Sequence, residues 1–141
     1  MAQLTVRDAA WLARLLAQHA LTPAADRPFA IVDVRDSDHA GGHIPGSIHV
    51  PSTTFARNVG WLVQQLQGKD EVVFHCMMSQ QRGPACARVF ARELQKARSD
   101  ETAAVTEPVV SVLTGGFANW VSIYRRQAAT HIADYDPKVW S

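Results

Sequence analysis

The sequence of 141 residues has little of several features that would identify a class of protein. Its two cysteines are too few for a disulfide-stapled secreted domain, so we expect a reducing compartment, the cytoplasm or the nucleus. It has no signal-like start and no apolar run of membrane-spanning length. A net charge of +1 predicts neither a nucleic-acid surface nor a membrane surface. The six histidines and two cysteines show no metal-ligand spacing, so we predict no metal site.

What remains is the composition of one globular domain, which we expect to span residues 1–141. A hydrophobic content of 47% in a chain of this length is enough for a core. Apolar strand candidates alternate with amphipathic helix candidates, which predicts an α/β fold with a mainly parallel sheet and helices on both faces. The strand candidates are 29–34, 47–50, 72–74 and 109–113.

The ends of the chain and one polar segment have weaker signals. Thr5 to Asp8 has the pattern of a capping box, which predicts a helix start there and an end near His19. The polar stretch 98–107 predicts an exposed loop. The tail, 127–141, has no motif, but Tyr135 and Trp140 indicate that it packs against the domain.

The segment 71–90, EVVFHCMMSQQRGPACARVF, predicts a strand, a loop and a helix in quick succession. Cys76 ends the strand, and Gly83 and Pro84 open the helix. Loop N–H groups and a helix N-terminus stabilise anions, and thiols in such a setting ionise at about pH 4–7 rather than about 8.5. Arg82 adds a planar guanidinium suited to two oxygens of an oxyanion. The pattern predicts a thiolate that attacks phosphorus, arsenic or sulfur; the alternative is a structural cysteine beside a surface arginine.

The loop HCMMSQQRGP resembles that of the cell-division-cycle dual-specificity phosphatases built on the rhodanese fold, and that of the eukaryotic arsenate reductases. DVRDSDHAGGHIPGSIHVPS and LTGGFANW resemble two other signatures of rhodanese domains. The resemblance implies a single rhodanese-like domain with about five strands, a motif-covered core of about 29–126, and a structural role for His43. It also implies that Cys76 is the nucleophile and that loop amides, with the Arg82 side chain, hold the oxyanion. The loop residues are Met77, Met78, Ser79, Gln80, Gln81 and Arg82.

Three residues near the predicted site have open roles. Asp33 and Arg35 lie at the carboxyl end of the strand candidate 29–34, the edge at which parallel sheets place their sites. They act either in catalysis or, as we prefer, as an ion pair that stabilises the loop. His75 precedes the predicted nucleophile and is a supporting residue.

Two departures from the phosphatase pattern affect the predicted chemistry. Gln81 stands where the cell-cycle phosphatases carry an acid, and Gly83 where tyrosine phosphatases generally carry a hydroxyl. No acid lies in the loop, so the proton donor for a leaving group is missing, and Asp33, Asp36 and Asp38 are remote candidates. The arsenate reductases also lack the loop acid. The loop is one residue longer than that of sulfur-transferring rhodaneses, which disfavours thiosulfate sulfurtransferase activity.

We therefore predict a cysteine-dependent phosphatase that hydrolyses phosphotyrosine or aryl phosphates through a phosphocysteine, with a phosphoprotein among its partners. The alternative is an arsenate reductase that uses the same loop, with glutathione or glutaredoxin as the reductant. A non-catalytic rhodanese-fold binding module is the third hypothesis, against which the intact Cys76 and Arg82 count. No other cofactor is predicted. Cys86 is a core residue on the apolar helix face or, less expectedly, a thiol that resolves an oxidised Cys76.

Overall fold

A five-stranded parallel sheet forms the centre of the molecule, in the order β1-β5-β4-β2-β3. The computed structural model describes residues 4–100 and 107–140, with the backbone alone at 99 and 100. The strands are β1 (Thr5–Arg7), β2 (Phe29–Asp33), β3 (Ile48–His49), β4 (Glu71–His75) and β5 (Val109–Leu113). The helices are α1 (Ala9–Gln18), α2 (Phe55–Gln65), α3 (Arg82–Asp100), α4 (Gly116–Tyr124) and α5 (Ala128–His131). The predicted α/β class and parallel sheet are confirmed.

Strands β2 and β4 are buried along their whole length, because both faces of the sheet are covered. Alternate residues enter two separate cores. Val32 and Phe74 pack with α2 and α3 on one face. Ile31 and Val73 pack with α1 and α4 on the other. Helices therefore lie on both faces, as predicted, and the carboxyl ends of β2 and β4 are neighbours at one edge.

The amino-terminal prediction was wrong in one respect. Thr5 does not begin a helix; it begins β1, which pairs in parallel with β5 in the register Thr5 to Ser111. Asp8 is the N-cap, and its Oδ1 accepts the backbone N–H of Trp11 at 2.8 Å. Pairing with a distant strand gives hydrogen-bond partners to one edge of the backbone of 5–7, and Arg7 adds two hydrogen bonds to Glu71, of 2.8 and 2.9 Å. The helix itself ends at Gln18, next to the predicted limit.

The helix after the loop is longer than predicted. We expected an exposed loop from 98, but α3 continues to Asp100, since the strong helix formers from Leu94 to Arg98 carry the helix past the predicted limit. The Arg98 side chain forms an ion pair of 2.9 Å with Glu107. The remainder of the predicted loop, 101–106, lies outside the described residues. Within the described chain, no helix is long and apolar enough to cross a membrane.

The tail packs against the domain, as predicted, up to residue 140. The indole N–H of Trp140 donates to the Gly41 carbonyl at 3.0 Å, and its ring lies 5.5 Å from that of Phe117. The backbones of His43 and Ala133 exchange two hydrogen bonds, of 3.0 and 2.8 Å. The tail therefore fixes the segment between β2 and β3, which carries Arg35, Asp36 and Asp38.

Candidate active site

The loop between β4 and α3 surrounds the sulfur of Cys76. The Sγ atom accepts the backbone N–H of Ser79 at 3.2 Å and that of Gly83, in the first turn of α3, at 3.3 Å. The residue is 3% exposed. Two backbone N–H groups therefore converge on the sulfur, an arrangement that suits an anion.

The loop has this shape because Ser79 adopts a left-handed conformation, with a φ of 56°. A left-handed residue in a short loop turns successive N–H groups toward a common centre, which makes an anion-binding concavity. The Ser79 hydroxyl also accepts the Cys76 N–H, at 3.4 Å. No sequence signal pointed to this residue as the turn of the loop.

The N-terminus of α4 also supports the loop, through hydrogen bonds to the loop carbonyls. The N–H groups of Phe117 and Ala118, in the first turn of α4, donate to the carbonyls of Cys76 at 3.0 Å and Met77 at 2.9 Å. In a trans peptide the C=O and the next N–H point in opposite directions. The N–H groups of Met77 and Met78 therefore point away from α4, toward the side where an oxyanion would bind.

This contact needs a glycine at 116. Gly116 has a φ of +59°, and a Cβ on it would lie 2.5 Å from the Cys76 carbonyl oxygen and 2.6 Å from that of Met77. Both the backbone conformation and the close approach exclude a side chain. The sequence showed a Gly-Gly turn here but gave no sign that it touches the loop that carries Cys76.

The guanidinium of Arg82 is held by two carboxylates. Its Nη1 and Nη2 donate to Asp38 at 3.0 and 2.6 Å, and Nη1 also donates to Asp36 at 3.2 Å. From the sequence these aspartates were only remote candidates for the proton donor, and nothing indicated that they contact Arg82. They follow β2, whose carboxyl end lies beside that of β4, so the two segments meet at the same edge of the sheet.

Charge pairing shifts the pKa values in this cluster. Hydrogen bonds from Arg82 lower the pKa of Asp38, and the same contacts raise the pKa of Arg82. Burial would raise the pKa of Asp36, but bonds from Ser52, Thr53 and Arg82 outweigh it and lower the pKa to about 2. All three groups are therefore charged at neutral pH.

Asp33 and Arg35 form an ion pair with an Nη2–Oδ2 distance of 2.7 Å, and both side chains are fully buried. Burial would raise the pKa of Asp33, but its bonds to Arg35 lower it overall. Arg35 also donates to the carbonyls of Gly42 at 2.9 Å and Asp38 at 3.2 Å, and lies over the ring of Phe117. The pair thus connects β2 to the segment that carries Asp38. Its role as a stabilising element stays a prediction.

His75 is buried at the end of β4. Its Nδ1 lies 3.3 Å from the Cys76 carbonyl oxygen, its ring stacks on Phe117, and its Nε2 has no partner among the described residues. Burial lowers its pKa, so the ring is neutral. It supports the loop from within and is not positioned to touch a substrate.

The second cysteine lies in the core between the sheet, α2 and α3. Burial, and then the negative charge at Cys76, raise the pKa of Cys86 to about 11. This thiol is protonated at neutral pH, and thiols react as thiolates. The geometry therefore favours the core assignment over the resolving one.

The rest of the loop forms the surface around the site. Met78, Gln80 and Gln81 are exposed, and Met77 is half-buried. An apolar side chain at the rim, 51% exposed in Met78, suits the flat face of an aryl group. Among the described residues, no group of three or more metal-ligating side chains is present.

Most of the chain is similar to rhodanese-like proteins. A profile of the rhodanese-like domain matches residues 8–123. The CDC25-like phosphatase YCH1 of Saccharomyces cerevisiae is 35% identical over 133 residues, which cover 87% of this chain and 85% of that protein. Arsenate reductase 2.2 of Oryza sativa subsp. japonica is 40% identical over 96 residues, which cover 67% of this chain and 71% of the relative. The structure of Ygr203w, a yeast protein tyrosine phosphatase of the rhodanese family, matches with a TM-score of 0.78 at 32% identity, over 100% of this chain and 99% of that one.

Proposed function

The chain belongs to the rhodanese-like domain family, and from this premise we propose that it is a cysteine-dependent phosphatase whose nucleophile is Cys76. One observation carries the proposal. The Cys76 sulfur accepts two N–H groups inside a loop whose further N–H groups are turned toward the same side. A tetrahedral oxyanion and a thiolate fit such a loop together.

The reaction we propose has two steps. First, the Sγ atom of Cys76 bonds to phosphorus while the bond from phosphorus to the aryl oxygen breaks, and that oxygen leaves with a proton. Second, the oxygen of a water bonds to phosphorus and loses a proton, the P–S bond breaks, and Cys76 returns as a thiolate. The N–H groups of the loop and Arg82 stabilise the equatorial oxygens in both transition states.

Arsenate reduction is the second candidate, because relatives at 40% and 38% identity are named arsenate reductases. In this reaction Cys76 displaces water from arsenate, which needs no proton donor for a phenolate. A thiol then attacks the sulfur of the As–S bond, which transfers two electrons to arsenic and leaves a mixed disulfide on Cys76. Since Cys86 is buried and protonated, we propose that this thiol is glutathione and that a further thiol, from glutathione or glutaredoxin, restores Cys76.

Parallel assays of the wild type and Cys76→Ser separate the candidates. The substrates are an aryl phosphate, arsenate with glutathione, and thiosulfate with cyanide. We expect ester hydrolysis that depends on Cys76 and no thiocyanate. Arsenite formation without ester hydrolysis would assign the protein to the reductases. A protein that is inactive in all three assays but binds the oxyanion would be a binding module.

Finer assignments follow from the same premise. We propose that the substrate is an oxyanion ester, carried by a phosphoprotein in the cell, and that no resident cofactor takes part. We propose a cytoplasmic location, with the nucleus as the alternative. We also propose that residues 1–141 act as one domain, with a core of about 29–126.

A further inference from the structure

The loop lacks a group that could give a proton to the leaving oxygen. Between Cys76 and Arg82 the side chains are two methionines, a serine and two glutamines. Alkyl and aryl oxygens leave poorly as anions, and a positioned acid accelerates such steps by about 10²–10⁴. The proton donor must come from a neighbouring segment, and the end of β2 with the residues that follow it supplies three carboxylates.

Two of these carboxylates are already committed to the fold. Asp33 is fully buried, with both oxygens bonded to Arg35. Asp36 accepts the hydroxyl of Ser52 at 2.6 Å and the N–H of Thr53 at 3.1 Å. A substrate at the loop would not displace these partners, since Arg35 is fully buried and Ser52 and Thr53 belong to the turn before α2. Neither carboxylate becomes available for proton transfer when a substrate binds.

Asp38 differs because its main partner is the arginine of the site. Both of its oxygens accept from Arg82, at 3.0 and 2.6 Å, and its other hydrogen bonds among the described residues come from backbone N–H groups of its own segment, that of Asp36 at 2.9 Å and its own. Its side chain is 34% exposed. The carboxylate thus occupies the two parallel N–H groups that a phosphate oxyanion needs from the same guanidinium. Two anions cannot both take that pair of donors.

We propose that Asp38 is the general acid and base of this enzyme, and that the bound oxyanion activates it by taking Arg82 away from it. The assignment rests on the proposed phosphatase function. Once Arg82 turns to the oxyanion, Asp38 loses its cation. The groups near it are then the oxyanion and Asp36, both negative, and neutral His39 in the same segment. Arg35 donates to the Asp38 carbonyl at 3.2 Å, but its charge is paired with Asp33. Loss of a cation and approach of anions both favour the protonated carboxyl.

The Asp38 proton is given up in the first step of the reaction and regained in the second. As the P–S bond forms and the bond to the aryl oxygen breaks, the carboxyl of Asp38 gives its proton to that oxygen and becomes a carboxylate. In the second step this carboxylate takes a proton from the attacking water, so that a phosphate ion leaves and Asp38 is again a carboxyl. Departure of phosphate frees Arg82, the proton goes to solvent, and the ion pair forms again.

The test compares two esters with leaving groups of different basicity. Phenyl phosphate releases an oxygen as basic as that of tyrosine, with a pKa of about 10, whereas 4-nitrophenyl phosphate releases a much weaker base. Asp38→Asn keeps the size of the side chain but has no proton to give. We expect a loss of about 10²–10⁴ in kcat/KM on phenyl phosphate and a far smaller loss on 4-nitrophenyl phosphate. Asp36→Asn, the matched control, also contacts Arg82 and should reduce the two rates alike.

Sulfate binding supplies a second readout that does not depend on turnover. Because Asp38 competes for Arg82, Asp38→Asn should bind sulfate at least as tightly as the wild type at pH 7. The wild type should take up more protons on binding than the variant, measured by calorimetry in buffers of different ionisation enthalpy.

Each outcome decides between the alternatives. Equal losses on the two esters, with weaker sulfate binding, would show that Asp38 only positions Arg82 and would overturn the assignment. Unchanged rates on both esters would overturn it as well. A wild type that hydrolyses neither ester would refute the proposed phosphatase function itself, a different failure that the wild-type assay alone reveals.

Discussion

Replacing Gly116 by alanine should damage the active site from a position that no substrate touches. The added Cβ would lie 2.5 Å from the Cys76 carbonyl oxygen, and contacts below 3.0 Å force a movement. The nearest atoms are backbone, so no flexible side chain can yield. Either the loop or the first turn of α4 must move by about 0.5 Å, the difference between those two distances.

The cost can be estimated from two separate effects. A residue with a Cβ in the left-handed region costs about 1–2 kcal/mol. Overpacking against backbone adds about 1–3 kcal/mol. The free energy of unfolding should therefore fall by about 2–5 kcal/mol. Displacement of the loop adds an effect on turnover, since misplacing reacting groups by about 1 Å can cost about 10²-fold.

Gly68→Ala is the matched control. Gly68 also has a positive φ, of +87°, but a Cβ there would meet nothing within 4 Å, so only the backbone cost of about 1–2 kcal/mol applies. Urea unfolding gives the two stabilities, and hydrolysis of an aryl phosphate gives the activities. If Gly116→Ala were no less stable than Gly68→Ala and equally active, the support of the loop by α4 would be refuted.

Three further predictions concern the charged groups of the site. Iodoacetamide at slightly acidic pH should alkylate Cys76 before Cys86, and phosphate should slow that reaction; equal rates, checked by mass spectrometry, would contradict the assignment of the nucleophile. Arg82→Lys keeps the charge but loses the second parallel N–H, so phosphate affinity should fall by about 10–100-fold, the effect of one charge-assisted hydrogen bond. The pKa of Asp36 is lowered to about 2, so the stability that it contributes is complete above about pH 4 and is lost as the pH falls through 2. Asp36→Asn should therefore lose less stability than the wild type between pH 5 and 2 in urea titrations, and an identical loss would contradict the shift.

The predictions from sequence succeeded where a signal is local. The strand 71–75, the loop and the helix after it have apolar periodicity, a proline and a run of polar residues in the right order, and each is dictated by neighbouring residues. The parallel sheet followed from the length of the connections between strands. These features need no knowledge of distant contacts.

The predictions from sequence failed where a contact between distant segments determines the local structure. The pattern at Thr5 favours a helix cap, but pairing with β5, over a hundred residues later, makes it a strand. Asp38 and Arg82 are 44 residues apart, and no spacing rule joins them. Their contact follows only from the strand order, since β2 and β4 are neighbours although β3 lies between them in the chain. The strand order was not predicted, so the carboxylates that hold Arg82 were missed.

The support of the loop by α4 has a consequence for synthesis of the protein. On the ribosome, Cys76 emerges well before Phe117 and Ala118, whose N–H groups hold the loop carbonyls. Chains grow by about 5–20 residues per second, so the loop exists for several seconds without the helix that supports it. β4 also waits for β5, one of its two neighbours in the sheet. A nascent chain therefore contains Cys76 before the loop around it is supported, and the thiol acquires its ordered surroundings only when β5 and α4 have folded.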